Sequence, residues 1–261
     1  MQQDKKSIFI TGAASGIGAA TAKLFAARGW FVGLADIAPA NAIEADIPEA
    51  QRISLQLDVR DSGQWRDAIT RFGAASGGRM HVLFNNAGVA RHGRFDVISE
   101  EDTNLVVDVN LKGVLNGVRG ALPLLSQTPG ARIVNTASAA AIYGLPKSAV
   151  YAATKFAVRG LSQSLDIELG PLGVRCIAIA PWFIETPLLD TASSESNKNV
   201  REVISGLKVY PVELVAEGVW KAAHGKRDFI PIGKDAIDLA FAARFFPGTV
   251  RRQLMRMARP G

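Results

Sequence analysis

The sequence predicts an α/β fold, a doubly wound parallel sheet of about seven strands with helices on both faces. Three observations carry this. Short apolar runs of strand length alternate with longer amphipathic segments along the chain, with no internal repeat and no linker-like stretch. Most strand runs are near-continuously apolar, as in strands covered on both faces, while the third, Arg52 to Val59, alternates. A glycine-rich turn, Thr11-Gly12-Ala-Ala-Ser15-Gly16-Ile17-Gly18, joins the first strand to the first helix. At 261 residues the chain suits one domain, residues 1–261, with a sizeable core.

In order, Lys6-Ser-Ile-Phe-Ile-Thr11 reads as a buried strand, and a helical pattern follows through Ala20, Leu24 and Ala27 to a stop at Gly29. Strand, glycine turn and helix form the context of a nucleotide-binding turn. Gly12 permits the tight turn, Gly16 close approach to a pyrophosphate, and Gly18 close packing of helix on strand. Ser15, Gly16, Ile17 and Gly18 open the helix, whose free N–H groups and positive dipole end favour phosphate. The second strand, from Trp30 to Ala35, ends at Asp36. A carboxylate there accepts hydrogen bonds from adenosine ribose hydroxyls and repels a 2′-phosphate, and neither Ser15 nor Ile37 supplies a cation to hold one. The cofactor reading is therefore NAD rather than NADP.

A third strand, Arg52 to Val59, carries Asp58, and Asp61 or Ser62 caps a helix burying Trp65, Ala68, Ile69 and Phe72. The fourth strand, His81 to Asn85, opens into Asn85-Asn86-Ala87-Gly88, which suits a backbone passing close to a ligand. One long helix, about Glu101 to Leu125, carries Asn110 among Val106, Val107 and Val114, where an amide needs partners. The fifth strand, Ala131 to Ala137, delivers Ser138 at its carboxyl end, where open parallel sheets bind ligands. Tyr151 then opens a helix running to about Leu169. Lys155 lies one turn later on the same face, and its charge favours the ionised phenol. The sixth strand reaches Pro181. A polar stretch of about 188–208 follows, then a helix from Pro211 with Val212, Val215, Val219 and Ala222-Ala223 inward, and a last strand, Phe229 to Ile232.

Taken in this order, Thr11-Gly-x-x-x-Gly-x-Gly18, Asp58, Asn85-Asn-Ala-Gly88, Asn110, Ser138 and Tyr151-x-x-x-Lys155 resemble the single-domain branch of the short-chain dehydrogenase/reductase family. The resemblance covers residues 5–190 densely. It implies a Rossmann fold with a seven-stranded sheet and a nicotinamide cofactor. It places Asp58 and Val59 at the adenine, and Asn86, Ala87 and Gly88 beside the adenosine ribose. Asn110, Ser138, Tyr151 and Lys155 are implied as a catalytic tetrad, with Tyr151 as general acid/base and Lys155 also on the nicotinamide ribose. Ser138 would hold the substrate oxygen, and Asn110 a water linking Lys155 to solvent. Pro181, Ile184 and Thr186 fall at the nicotinamide end. Trp182 departs from the family's usual glycine and adds an apolar body at the substrate side, either in the pocket or in packing. The resemblance also suggests that 188–208 is a mobile substrate lid. The expected substrate is a small-molecule alcohol or ketone, and the expected assembly a homotetramer or homodimer built on the helices around Asn110 and Tyr151. A β-ketoacyl-thioester reductase is the rival within enzymes, and a catalytically silent nucleotide-binding protein the rival outside them.

The formal charge is +6, from 30 Lys and Arg against 24 Asp and Glu. Arg244, Arg251, Arg252, Arg256 and Arg259 fall in the last twenty residues, where no acidic side chain occurs, so the excess belongs to the tail. No aromatic-interleaved basic stripe suggests nucleic acid. The tail, about 235–258, follows helical spacing through Ile237, Ala240, Phe241, Arg244 and Phe245, is interrupted at Pro247-Gly248, and resumes at Val250, Leu254 and Met257. Packing on the body or another subunit is the reading carried forward, ahead of an anionic membrane or an acidic partner such as acyl carrier protein. Cys176, the sole cysteine, sits in an apolar run and reads as a buried, inert thiol. His81, His92 and His224 lack metal-ligand spacing, so no metal is expected, and His92, just after the Asn85–Gly88 turn, is assigned to the surface ahead of the pocket border. No signal-peptide core and no apolar run of ~20 residues is present. The expectation is a cytoplasmic enzyme.

Overall fold

The computed structural model describes residues 5–193 and 196–257. The first strand, β1 (Ser7–Thr11), turns into α1 (Gly16–Ala27), and β2 (Phe31–Asp36) follows. A four-residue helix, α2 (Asn41–Glu44), precedes β3 (Arg52–Gln56), and α3 (Ser62–Ala75) leads to β4 (Val82–Asn85). Next come α4 (Glu100–Val107), a π turn (Asp108–Lys112), α5 (Gly113–Ser126), β5 (Arg132–Thr136), α6 (Ala149–Glu168) and β6 (Arg175–Pro181). The antiparallel pair β7 (Ala192–Ser193) and β8 (Ser196–Asn199), α7 (Val200–Val203), α8 (Val212–His224) and β9 (Phe229–Ile232) follow. The chain continues through α9 (Lys234–Phe245) and α10 (Pro247–Met257).

Seven strands form one sheet in the order β3-β2-β1-β4-β5-β6-β9, with every pairing parallel. The chain reverses its direction of winding between β1 and β4, and ligands of such sheets bind at that crevice. On one face Phe25 meets Trp30 and Trp220 edge-on, each at 5.0 Å between ring centres, which fastens α1 to α8. On the other face Phe9 packs between Trp65 (5.6 Å) and Phe72 (5.3 Å), under α3 and α5. Burying each such ring stabilises the fold by roughly 1.5–3 kcal/mol, and each aromatic pair adds about 0.5–1.5 kcal/mol.

A polar thread runs through this apolar centre. Asn85 and Asn135 are register partners on β4 and β5, and Asn85 Nδ2 donates to Asn135 Oδ1 (2.9 Å). Asn135 Nδ2 donates in turn to Ser162 Oγ on α6 (3.0 Å). Asn85 therefore belongs to the core rather than to a ligand-facing loop, and only Asn86 to Gly88 leave the sheet. Cys176 is fully buried beside this thread, and burial pushes its thiol up to about 12, which keeps it protonated.

Four local expectations change. The third strand ends at Gln56, before Asp58. Asp61, not Ser62, caps α3, accepting from the N–H groups of Gly63 and Gln64. The expected long helix runs on from α4 to α5 but takes up a π turn, Asp108–Lys112, that holds Asn110. The 188–208 stretch folds as a 3-10 turn (Pro187–Asp190), the β7–β8 pair and α7, and Phe183 packs over a small core of Leu189, Val200 and Ile204. Ser194, Glu195 and Arg259 lie outside the described residues.

Candidate active site

The glycine turn has the shape its residues imply. Gly12 (φ 66°) and Gly16 (φ 53°) take left-handed backbone, which a side chain would strain. A Cβ on Gly18 would lie 2.0 Å from the Gly12 carbonyl oxygen, so α1 closes on the turn only without one. A Cβ on Gly12 would reach 3.0 Å from Ala87 Cα, and one on Gly16 3.1 Å from Thr186 Cγ2. The turn is thus walled by the Asn86–Gly88 loop on one side and by Thr186 on the other. Ile17, in the first turn of α1, packs against the same large apolar cluster that buries Ile184. Ser15 is the N-cap of α1, but its hydroxyl makes no capping hydrogen bond, so the first-turn N–H groups stay available to an anion. These features fit a dinucleotide pyrophosphate.

Asp36 stands at the end of β2, where its Oδ2 accepts from Ala14 N–H and its Oδ1 from Ala38 N–H, both at 2.9 Å. An ionised carboxylate offers about four acceptor sites, so two remain for hydroxyls. Asp58 is more committed: the Arg60 guanidinium grips its carboxylate at 2.6–3.0 Å and holds it below its usual range. Gln64 Oε1 takes its N–H. Val59 is buried, and its carbonyl accepts from Trp65 Nε1 and Asn116 Nδ2. Asn86 is drawn back to β1, its Nδ2 donating to the Thr11 carbonyl (3.0 Å), while Thr11 Oγ1 accepts from the N–H groups of Asn86 and Ala87.

The reactive cluster forms where β4, β5 and α6 meet. Lys155 is buried, and its Nζ donates to the Thr136 carbonyl at the end of β5 (2.8 Å). The same ammonium lies 5.6 Å from the centre of the Tyr151 ring, one helical turn earlier. Tyr151 is hydrogen-bonded to Ser138, whose Oγ also accepts from Ala140 N–H. Asn110 presses its amide flat against Val89, with Oδ1 accepting from Val89 N–H and Nδ2 donating to the Val89 carbonyl, both at 2.9 Å. A Cβ on Gly88 would stand 3.2 Å from Asn110 Oδ1 and 3.6 Å from Lys155 Nζ, so the loop reaches the cluster by having no side chain there. All four expected catalytic residues converge.

The electrostatics depart from expectation. Burial pushes the Tyr151 phenol above its usual range, against the Ser138 hydrogen bond that lowers it. Burial also pushes the Lys155 ammonium down to about 8. For the phenol, desolvation by burial is the larger effect and the Ser138 hydrogen bond the smaller one.

Two further residues need correction. His92 is not at the surface: it is half-buried, its ring lies 6.4 Å from that of Tyr151, and its Nδ1 bonds to Ser148 Oγ (2.9 Å). Burial lowers its pKa and keeps it neutral. The pocket-side alternative, suggested by its place after the Asn85–Gly88 turn, is the one realised, because the β4–α4 loop folds back onto the helix carrying Tyr151. Trp182 follows Pro181 and donates its backbone N–H to Ile232. Its indole meets Phe183 edge-on at 5.3 Å and packs against the α1–α8 core, with Nε1 buried and unpartnered. Among the described residues no group of His, Cys, Asp and Glu is placed to hold a metal ion.

A glycine turn at the switch point of the sheet, with a tyrosine, lysine and serine cluster at the ends of the neighbouring strands, has the make-up of a nicotinamide-dependent oxidoreductase. The chain belongs to the short-chain dehydrogenase family, whose model matches residues 6–197. It is 37% identical over 195 residues to the 3-oxoacyl-[acyl-carrier-protein] reductase of Thermotoga maritima, covering 73% of this chain and 78% of that one. It is 33% identical over 211 residues to a 3-alpha-(or 20-beta)-hydroxysteroid dehydrogenase of Mycobacterium bovis, covering 80% and 79%. A short-chain dehydrogenase/reductase from Burkholderia phymatum, solved in complex with NAD, superposes with a TM-score of 0.79 at 28% identity, over 100% of this chain and 97% of that one.

Proposed function

We propose that this chain is an NAD(H)-dependent oxidoreductase of the cytoplasm that interconverts a secondary alcohol and a ketone, with Tyr151 as general acid/base. The observation that carries the reading is the placement of Tyr151 between Ser138 and the buried Lys155 ammonium.

Gly12, Ser15, Gly16, Ile17 and Gly18 would hold the pyrophosphate, and Asp36 the adenosine ribose hydroxyls. Asp58 and Val59 border the adenine, Asn86, Ala87 and Gly88 the ribose beside it, and Pro181, Ile184 and Thr186 the nicotinamide end. When bound, NAD supplies the hydride acceptor for oxidation and, reduced, the donor for reduction. Ser138 holds the substrate oxygen against Tyr151 Oη. In oxidation the Tyr151 phenolate accepts the hydroxyl proton; in reduction the phenol returns it. Lys155 carries its charge below about pH 8 and favours the phenolate. Asn110 orders a water that joins Lys155 to solvent. His92, beside the Tyr151 ring, shapes the substrate side.

A second reading, a β-ketoacyl-thioester reductase, is favoured by the identity with the Thermotoga maritima reductase. One experiment separates them: a panel of secondary alcohols, ketones and a β-ketoacyl thioester, followed by NADH absorbance with NADP(H) controls. We expect alcohol–ketone turnover with NAD(H). Tyr151→Phe should lower it by about 10²–10⁴-fold while NADH binding persists. Unchanged turnover in that variant would defeat the mechanism, and a preference for NADP(H) would defeat the role of Asp36.

A further inference from the structure

The tail packs on the body through its small residues and leaves its large apolar ones outside. Helix α9 turns its small side toward the body, with Ala236 buried and Leu239, Ala240 and Ala243 half-buried. Its large apolar side chains face outward: Ile237, Phe241 and Phe245, spaced one turn apart, are 55–59% exposed, and Phe246 continues the stripe at 57%. Phe241 lies 4.8 Å from Phe245 and 6.3 Å from Phe246 between ring centres, so the three rings form one ridge. Helix α10 packs Val250 inward and sets Arg251, Arg252 and Arg256 in solvent. Among the described residues neither these arginines nor Arg244 pairs with a carboxylate, and no acidic residue follows Asp238.

We propose that the α9–α10 hairpin is a peripheral docking surface for an anionic lipid bilayer, with the phenylalanine ridge entering the acyl boundary and the α10 arginines on the headgroups. Stable interfacial attachment needs two signals, apolar burial and cationic attraction, and the hairpin supplies one on each helix. A two-fold contact between copies through this patch would bring unpaired arginines against their own counterparts, which opposes it. No described helix is long and apolar enough to cross a membrane, so the attachment is to the surface. Helix α9 begins beside Tyr210, whose hydroxyl donates to Asp235 (2.7 Å) and whose backbone bridges to Ile184 at the root of the lid. Docking therefore sets the substrate side near the lipid, a short path for an apolar alcohol or ketone.

The test is co-sedimentation of the full chain with vesicles of phosphatidylcholine doped with phosphatidylglycerol, against phosphatidylcholine alone. The expected result is binding to the anionic vesicles only, weakened by salt. Phe241→Ser/Phe245→Ser and Arg251→Glu/Arg252→Glu each should lose about tenfold or more of it. Both doubles alter exposed positions, and unchanged NADH-linked turnover shows that the body is intact. Wild-type protein left in the supernatant overturns the proposal, as does undiminished binding by both doubles. Loss of an oligomer in Phe241→Ser/Phe245→Ser without vesicle binding by the wild type also overturns it, assigning the ridge to a second copy.

Discussion

Lys155 is held by a single backbone carbonyl inside a buried cluster, and its proton is correspondingly loose. It titrates near 8 in the folded chain and near ~10.4 when unfolded, so between these values the unfolded chain binds more protons and stability rises with pH. Below about 8 the full penalty of burying the ammonium is present in every folded molecule. Tyr151 acts in the opposite sense above ~10, where the unfolded phenol ionises and the buried one does not, so the window is about pH 8–10. Unfolding free energies from urea titrations at pH 7.5 and 9.5 should therefore differ by about 1–2 kcal/mol more in the wild type than in Lys155→Met; an equal rise in both would refute the assignment. The Tyr151–Lys155 spacing was legible because one turn of helix places such residues together. The carbonyl of Thr136, the Val89 backbone under Asn110 and the approach of His92 were not, since each comes from a different strand or loop brought in by tertiary packing.

At the scale of elements, the join of β1 to α1 depends on the absence of atoms. Gly18→Ala forces a methyl into the Gly12 carbonyl and should destabilise the chain by about 1–3 kcal/mol. Gly160→Ala, on an open face of α6 with nothing within 4 Å, should stabilise by about 0.5–1 kcal/mol. Thermal melts of the two variants that moved in the same direction would overturn this contrast. The glycine turn was readable because its residues have few other uses. The π turn was not, because helical periodicity continues across one extra residue once Asn110 is anchored to Val89. The tail shows the limit of periodicity itself. Spacing identified which residues share a face of α9, but not that Ala236 and its neighbours, rather than the phenylalanines, face the body.

For the whole molecule, the doubly wound parallel sheet followed from the alternation of strands and helices, while its assembly rests on surfaces that sequence does not rank. Helices α4 and α6 and the π turn leave an apolar hollow of about 430 Å³ lined by Phe95, Val107, Leu111, Val150 and Ala153. Phe95 is 73% exposed, and Phe156 on α6 also stands in solvent. We expect the proposed dimer or tetramer to form across this face, so Phe156→Glu should lower the mass measured by light scattering on a sizing column; an unchanged mass would move the interface elsewhere. The paired amides of Asn85 and Asn135 bear on how the sheet is assembled at all. Were β5 to slip by one residue against β4, Asn135 would face Phe84 and both amides would be buried unsatisfied, at about 1–3 kcal/mol each. Apolar strands such as these tolerate many alignments, so this pair tips the balance toward the native register of β4 and β5.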